Sequence, residues 1–230
     1  MTENPGVPAA GDGGGSAPGS GTTVLHLVRH GEVYNPGGIL YGRLPGFHLS
    51  EEGRLMAKAA AGFLAGRDVV LLRSSPLDRT METAAPLVAQ FDLELITEER
   101  LIEPTNVFEG TTVGVGSGAL RNPANWRYLY DPFRPSWGEA YRGVAARMLA
   151  VMADVARAAQ GHEAVCVSHQ LPIWIARRAA EGKHLWHHPG HRQCALASVT
   201  SFSYSSGEIT GVSYAEPGGS GSGRPQTPGA

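Results

Sequence analysis

The chain has 230 residues, a length that suits one well-packed α/β domain. Its formal net charge is −2 and its pI is about 6.5, so it has no general electrostatic attraction for nucleic acid or for an acidic membrane surface. We therefore expect neither as a partner, and we expect any anionic ligand to be bound by individually placed residues.

The two ends of the chain differ in composition from the middle. Residues 1–21 and 215–230 are rich in Gly, Ser, Pro and Ala and nearly lack large apolar residues. Neither end can therefore bury enough surface to offset the entropy cost of ordering. We predict flexible tails around a single domain at residues 22–214.

Two observations bear on location. The first residues lack the apolar core of a secretory signal, and no stretch approaches the ~20 apolar residues of a membrane span. The two cysteines, Cys166 and Cys194, fall inside predicted strands and are interpreted as buried thiols in a reducing compartment. We expect a cytoplasmic protein.

Apolar runs typical of strands alternate with helical patterns through the domain. In chain order we predict a strand at 22–28, a helix at 50–66, a strand at 68–72, a helix from 75, a strand at 93–96, a helix at 138–159, a strand at 164–168, a helix at 172–180, and a hairpin of strands at 194–204 and 208–214. This alternation predicts a three-layer α/β/α sandwich whose mostly parallel central sheet carries an antiparallel C-terminal edge.

Capping signals mark the start of two helices. Ser50 is a suitable N-cap for the first helix, and Ser75 is predicted to cap the second, with Pro76 at its first helical position. Arg79 then lies in the first turn of that second helix, where backbone N–H groups also face an anion.

Three apolar runs end in side chains that can bind an anion. Arg29 and His30 follow the first run, Arg79 follows the second, and His169 follows the run at 164–168. Ligands of open α/β sheets bind outside the carboxyl ends of the strands, so we expect these four side chains to meet there. Two arginines and two histidines suit an anion with several oxygens, and phosphate fits best.

Phosphoryl transfer without a metal needs a nucleophile, positive charge on the phosphoryl oxygens, and a group that acts as acid and then as base. A neutral His30 can attack phosphorus, and the other three side chains can hold the oxygens. The acid is a carboxyl group, and both Glu103 and Glu109 follow the strand at 93–96 closely enough to reach the same edge.

Four motifs together resemble the histidine phosphatase superfamily, and more narrowly its phosphoglycerate-mutase-like branch. They are Arg29-His30-Gly31-Glu32, the segment from Ser75 to Thr80, a Glu-containing segment that ends in Phe108-Glu109-Gly110, and Val167-Ser168-His169. The resemblance covers nearly the whole predicted domain. It implies a mixed central sheet flanked by helices, and no metal or other cofactor.

The resemblance also implies roles for single residues. His30 would carry a phosphohistidine intermediate in a phosphate pocket formed by Arg29, Arg79 and His169. Glu103 would protonate the leaving alkoxide and then deprotonate the attacking water, with Glu109 as the alternative acid.

Three further residues are candidates for substrate binding. Asn35 and Arg43 match positions after the first motif that often reach the phosphate or the substrate in such families. Gln170 stands where a Gly commonly follows the second His, so it is a candidate to narrow the pocket or to contact substrate.

The expected reaction is hydrolysis of a small organic phosphomonoester. The extra insertion and the paired-Arg loop of phosphoglycerate mutases are not found, which favours hydrolysis over mutase chemistry. Phosphoglycerate mutase activity remains an alternative, and so does a protein that binds a phosphorylated ligand without turnover. The expected partner is the small phosphorylated substrate, and the sequence assigns no oligomeric state.

Two other segments have two interpretations each. Four histidines lie within residues 184–191, but no carboxylate lies among them and Pro189-Gly190 breaks any helix. We predict a loop there, with a metal site as the alternative. The aromatic residues from Trp126 to Trp137 form either a lid over the substrate or a small satellite core.

Overall fold

A computed structural model describes residues 21–112 and 138–218 of the chain. Its strands are β1 (Thr23–Arg29), β2 (Val69–Ser74), β3 (Leu95–Thr97), β4 (Glu163–Ser168), β5 (Val199–Ser205) and β6 (Glu208–Ala215). They form one sheet in the order β3-β2-β4-β1-β5-β6. The first four are parallel, whereas β5 is antiparallel to β1 and β6 to β5. The predicted sheet is therefore confirmed.

Helices cover both faces of the sheet. They are α1 (Glu51–Phe63), α2 (Asp78–Phe91), α3 (Tyr141–Ala158) and α4 (Gln170–Ala180). α1 and α2 share one apolar core with the sheet, and α3 and α4 share the other. β1 contributes Leu25 and Leu27 to the α3–α4 core and Val28 to the α1–α2 core, as expected of a central strand buried on both faces. The three-layer α/β/α prediction is confirmed.

The chain leaves β1 and β4 toward opposite faces of the sheet. α1 follows β1 into one core, and α4 follows β4 into the other. The two strands are neighbours, and Arg29 pairs with Ser168 in register. When the connections that follow two neighbouring parallel strands run to opposite faces of the sheet, a crevice forms at the carboxyl ends of those strands. The fold therefore opens a ligand crevice beside Arg29-His30 and Ser168-His169.

One of the two predicted helix caps is correct. Ser50 caps α1, and its hydroxyl oxygen accepts a hydrogen bond of 3.0 Å from the N–H of Gly53. Ser75 does not cap α2: Leu77 is the N-cap, without a side-chain bond, and the helix begins at Asp78. The Ser75 hydroxyl instead lies 2.8 Å from His169 Nε2, because Ser75 continues the sheet edge by donating its N–H to Val167. Arg79 still falls in the first turn.

The last hairpin begins later than predicted. β5 starts at Val199, and Cys194 lies in the loop before it, because Ser198 N–H closes a turn on the Ala195 carbonyl. Cys194 is buried nonetheless, as is Cys166, and both thiols are free. Burial raises the pKa of Cys166 to about 12, as expected of an inert core thiol.

Several predictions fall partly or wholly outside the described residues. The predicted tails do so except for residue 21 and residues 215–218, and so does the aromatic segment from Trp126 to Trp137. Within the described ranges, no helix is both long and apolar enough to cross a membrane.

Just after β3, the Glu98 carboxylate forms ion pairs with two arginine side chains at this edge of the sheet. Glu98 accepts hydrogen bonds of 2.8 Å from Arg100 and from Arg73, and these contacts, chiefly those with Arg100, lower its pKa to about 2. Since the folded pKa lies below the usual value, this stabilisation is present above about pH 4.5 and is lost as the pH falls toward 2. We expect Glu98→Gln to lower the free energy of unfolding at pH 7 by about 1–3 kcal/mol.

Denaturant unfolding at pH 7 and pH 3 measures this effect, and the exposed neighbour Glu99 supplies the control. Glu99→Gln should change stability by less than about 0.5 kcal/mol. An equal loss for Glu98→Gln at both pH values would contradict the assignment, because at pH 3 the Glu98 carboxyl of the unfolded wild-type chain is mostly protonated and the stabilisation is smaller.

Candidate active site

The first side chains of the site are placed by the end of β1. Arg29 is its last residue, and His30 follows with its N–H donated to the Ser168 carbonyl. Gly31 then passes so close to α1 that a Cβ there would overlap the carbonyl of Gly53. The glycine therefore allows the chain to pass close to α1 while the side chains of Arg29 and His30 stay buried.

The tautomer of His30 is set by its backbone contact. Nδ1 lies 2.8 Å from the carbonyl oxygen of Gly31, which can only accept, so Nδ1 carries the proton. Nε2 then keeps its lone pair. Burial, Arg79 and Arg29 hold the pKa of His30 well below 6.5. At neutral pH the ring is therefore an uncharged nucleophile beside two guanidinium groups.

Both arginines are fixed by backbone carbonyls. Arg29 donates from Nη1 to the Cys194 carbonyl at 2.7 Å, and Arg79 donates from Nη2 to the Gly42 carbonyl at 2.7 Å. The Arg79 guanidinium also lies 4.7 Å from the centre of the Tyr41 ring. These contacts hold two buried positive charges next to His30 without neutralising them, which suits a dianionic phosphoryl group.

His169 completes this cluster. Its Nδ1 lies 3.2 Å from Arg79 Nη2, a donor, so Nδ1 accepts and Nε2 carries the proton that faces Ser75. Burial, Arg79 and His30 lower the pKa of His169 well below 6.5. Its ring centre is 5.3 Å from that of His30. The predicted meeting of Arg29, His30, Arg79 and His169 is thus observed.

Of the two candidate acids, Glu103 lies at this cluster. It lines the same pocket as His30 and Arg79, and its Oε2 is 3.8 Å from His169 Nδ1. Burial raises the pKa of Glu103, although Arg79 and other cations oppose the rise. Glu109 instead accepts the backbone N–H of Asn106 at 3.2 Å, and it is not among the residues that line the pocket.

The predicted substrate-binding residues are placed differently from one another. Gln170, the first residue of α4, lines the pocket. Arg43 is not among the residues that line the pocket, and its Nε donates to the backbone carbonyl of Glu103. Asn35 closes a local turn by bonding both the N–H and the carbonyl of Ile39. Arg43 thus contacts the backbone of Glu103, and Asn35 does not line the pocket.

The pocket is small and includes residues that the sequence analysis did not name. It encloses about 270 Å³, its open mouth included, and is lined by His30, Tyr41, Gly42, Arg79, Glu103, Gln170 and Arg192. Tyr41, Gly42 and Arg192 were missed. Arg192 directly follows the His-rich segment, and its positive charge was the signal that could have identified it.

That His-rich segment does not gather its imidazoles around one point. His187 is buried against the ring of Tyr141, 5.3 Å away, while the rings of His188 and His191 pack on each other at 4.9 Å. Within the described ranges, no three His, Cys, Asp or Glu side chains are grouped to hold a metal ion.

Comparisons with known proteins agree with this geometry. A family model described as histidine phosphatase superfamily (branch 1) matches residues 25–217. An uncharacterised protein of Mycobacterium tuberculosis is 54% identical over 195 residues, which make up 85% of this chain and 96% of that protein. Phosphoserine phosphatase 1 of Hydrogenobacter thermophilus is 32% identical over 159 residues, 65% of this chain and 72% of that enzyme. The solved structure of a mycobacterial glucosyl-3-phosphoglycerate phosphatase is 26% identical, with a TM-score of 0.66, and covers 84% of this chain and 96% of its own.

Proposed function

Because this chain belongs to the histidine phosphatase superfamily (branch 1), we propose that it hydrolyses small organic phosphomonoesters through a phosphohistidine intermediate on His30, without a metal. The family assignment confirms the resemblance drawn from the four sequence motifs. The observation that carries the proposal is the uncharged His30, whose Nε2 lone pair is free beside two buried guanidinium groups.

In the first step, Nε2 of His30 forms a bond to phosphorus while the bond from phosphorus to the ester oxygen breaks. Arg29 and Arg79 stabilise the charge on the non-bridging oxygens, which is greatest in the transition state. Glu103 gives its proton to the departing oxygen, and its raised pKa favours the acid form that this step needs.

In the second step, water takes the place of the leaving group. The Glu103 carboxylate accepts a proton from the water as its oxygen bonds to phosphorus. The bond between phosphorus and Nε2 breaks, and its electron pair returns to His30. Inorganic phosphate leaves, and both residues are again in their starting protonation states, so the cycle needs no further reactant.

Some of the relatives favour hydrolysis over phosphoryl transfer between positions of one substrate. Two of the proteins compared above are named as phosphatases, one for phosphoserine and one for glucosyl-3-phosphoglycerate. A hydrolase and a mutase share the first step and differ in the acceptor. The distinction is therefore made by the product, which is free phosphate for one and an isomeric ester for the other.

The test is phosphate release from a panel of phosphomonoesters, each assayed with and without a strong chelator. We expect turnover of at least one small ester, at the same rate in both conditions. Isomer production from a phosphoglycerate, without release of phosphate, would replace hydrolase by mutase. Tight binding of esters by the folded protein with neither product would indicate a binding protein.

A further inference from the structure

The acid Glu103 lies on a segment without regular secondary structure. A short 3₁₀ turn at Glu99–Leu101 ends just before it, and residues 103–105 belong to neither a helix nor a strand. A carboxyl group can transfer a proton efficiently only when it is held close to the oxygen that receives the proton. The backbone of this segment must therefore be held by contacts with other parts of the chain.

Two arginines from distant parts of the chain bond to this backbone. Arg43, from the loop between β1 and α1, donates from Nε to the carbonyl of Glu103 itself. Arg147 of α3 donates from Nη1 to the carbonyl of Arg100, three residues earlier. Each bond fixes one end of the stretch that leads to the acid. The positions of both guanidinium groups therefore bear on where the Glu103 carboxyl group lies.

One carboxylate, that of Glu139, joins the two guanidinium groups. It accepts two hydrogen bonds from Arg147, at 2.9 and 3.0 Å, and its Oε2 lies 3.8 Å from Nη2 of Arg43. The N–H of Glu139 also donates to the carbonyl of Thr105 at 3.3 Å. A Cβ on the preceding residue, Gly138, would overlap that same carbonyl, so the glycine permits the close approach. Glu139 thus contacts the acid segment with its backbone and both arginines with its side chain.

We propose that Glu139 is the positioning residue for the acid: by holding Arg43 and Arg147, it keeps the Glu103 carboxyl group within reach of the oxygen that leaves phosphorus. The inference rests on the proposed function, in which Glu103 protonates that oxygen. Glu139 is not among the residues that line the pocket, so its role is exerted through Glu103. Loss of Glu139 should therefore resemble a weaker form of the loss of Glu103.

The test measures kcat/KM of Glu139→Gln, which removes the charge and one of the two acceptor oxygens, with an alkyl phosphate and with p-nitrophenyl phosphate. The alkoxide needs a proton as it leaves, whereas p-nitrophenolate does not. We expect kcat/KM to fall about tenfold or more for the alkyl ester and less than about twofold for p-nitrophenyl phosphate. In a Glu103→Gln background, Glu139→Gln should change either value less than about twofold, because the acid that it positions is gone.

A matched control comes from a second carboxylate that joins two cations. Glu181, just after α4, pairs with Arg177 at 3.0 Å and with Lys183 at 2.6 Å, and its side chain is likewise only partly exposed. Glu181→Gln should change kcat/KM for the two esters by the same small factor. A purely structural contribution of Glu139 would have this uniform effect, and it would persist in the Glu103→Gln background.

Arg43→Met is the second variant, because it removes the bond to the Glu103 carbonyl and leaves Glu139 in place. It should show the same dependence on the leaving group, and it tests the same role if Glu139→Gln does not fold. Equal losses for both esters in the folded variants, or full additivity of Glu139→Gln with Glu103→Gln, would overturn the inference. Failure of the proposed function would appear separately, as absence of phosphate release by the wild-type protein.

Discussion

Replacing His30 by Ala is expected to lower phosphate release by about 10³-fold or more for every ester that the wild-type protein hydrolyses. The reason lies in the proposed mechanism: Nδ1 of His30 donates to the Gly31 carbonyl, so Nε2 keeps the lone pair that would attack phosphorus. The remaining arginines would still bind phosphate esters, so the loss should fall on kcat rather than on KM. Steady-state phosphate release, with thermal unfolding to show that the variant is folded, measures the effect.

A second histidine provides the control for this substitution. His162 is half-exposed and pairs with Asp68 just before β4, at the edge of the sheet opposite the pocket. His162→Ala should leave turnover within about twofold. Quenching the wild-type reaction in base should also trap a phosphorylated protein that is labile in acid, as a phosphoramidate is, and that is absent from His30→Ala. Full turnover by a folded His30→Ala protein would rule out the phosphohistidine mechanism.

The sequence predicts the phosphate cluster well because that cluster depends on strand ends. Each apolar run determines where a strand stops, and parallel strands bring their carboxyl ends to one edge. Arg29, His30 and His169 follow directly from this rule. Arg79 follows from the start of α2, even though the cap proposed for that helix was wrong.

The parts that were missed depend on contacts between distant segments. The role of Ser75 is decided by His169, 94 residues later, so a local capping rule could not foresee it. Arg192 enters the pocket from a loop whose path is set by packing of His187 on Tyr141. The Asn35 side chain, by contrast, makes its hydrogen bonds within a local turn, to the backbone of Ile39.

Replacing Glu103 by Gln is expected to lower kcat/KM for an alkyl phosphate by about 10²–10⁴-fold, while kcat/KM for p-nitrophenyl phosphate falls less than about tenfold. The ratio kcat/KM reports the steps up to and including phosphorylation of His30. At that step a poor leaving group such as an alkoxide needs a proton from Glu103, whereas p-nitrophenolate does not. The pKa of Glu103 is raised, so the acid form persists to higher pH than in an ordinary Glu. Wild-type kcat/KM for the alkyl ester should then decline as the pH rises through that pKa, and the Gln variant should lack this decline.

Glu109 supplies the matched substitution, since it was the alternative acid and lies six residues further along the chain. Glu109→Gln should change kcat/KM for the two esters by the same small factor, because its carboxylate serves the turn at Asn106. A loss that depends on the leaving group in Glu109→Gln, and not in Glu103→Gln, would transfer the acid role to Glu109. Equal losses for both esters in Glu103→Gln would show that Glu103 stabilises the cationic pocket without donating a proton.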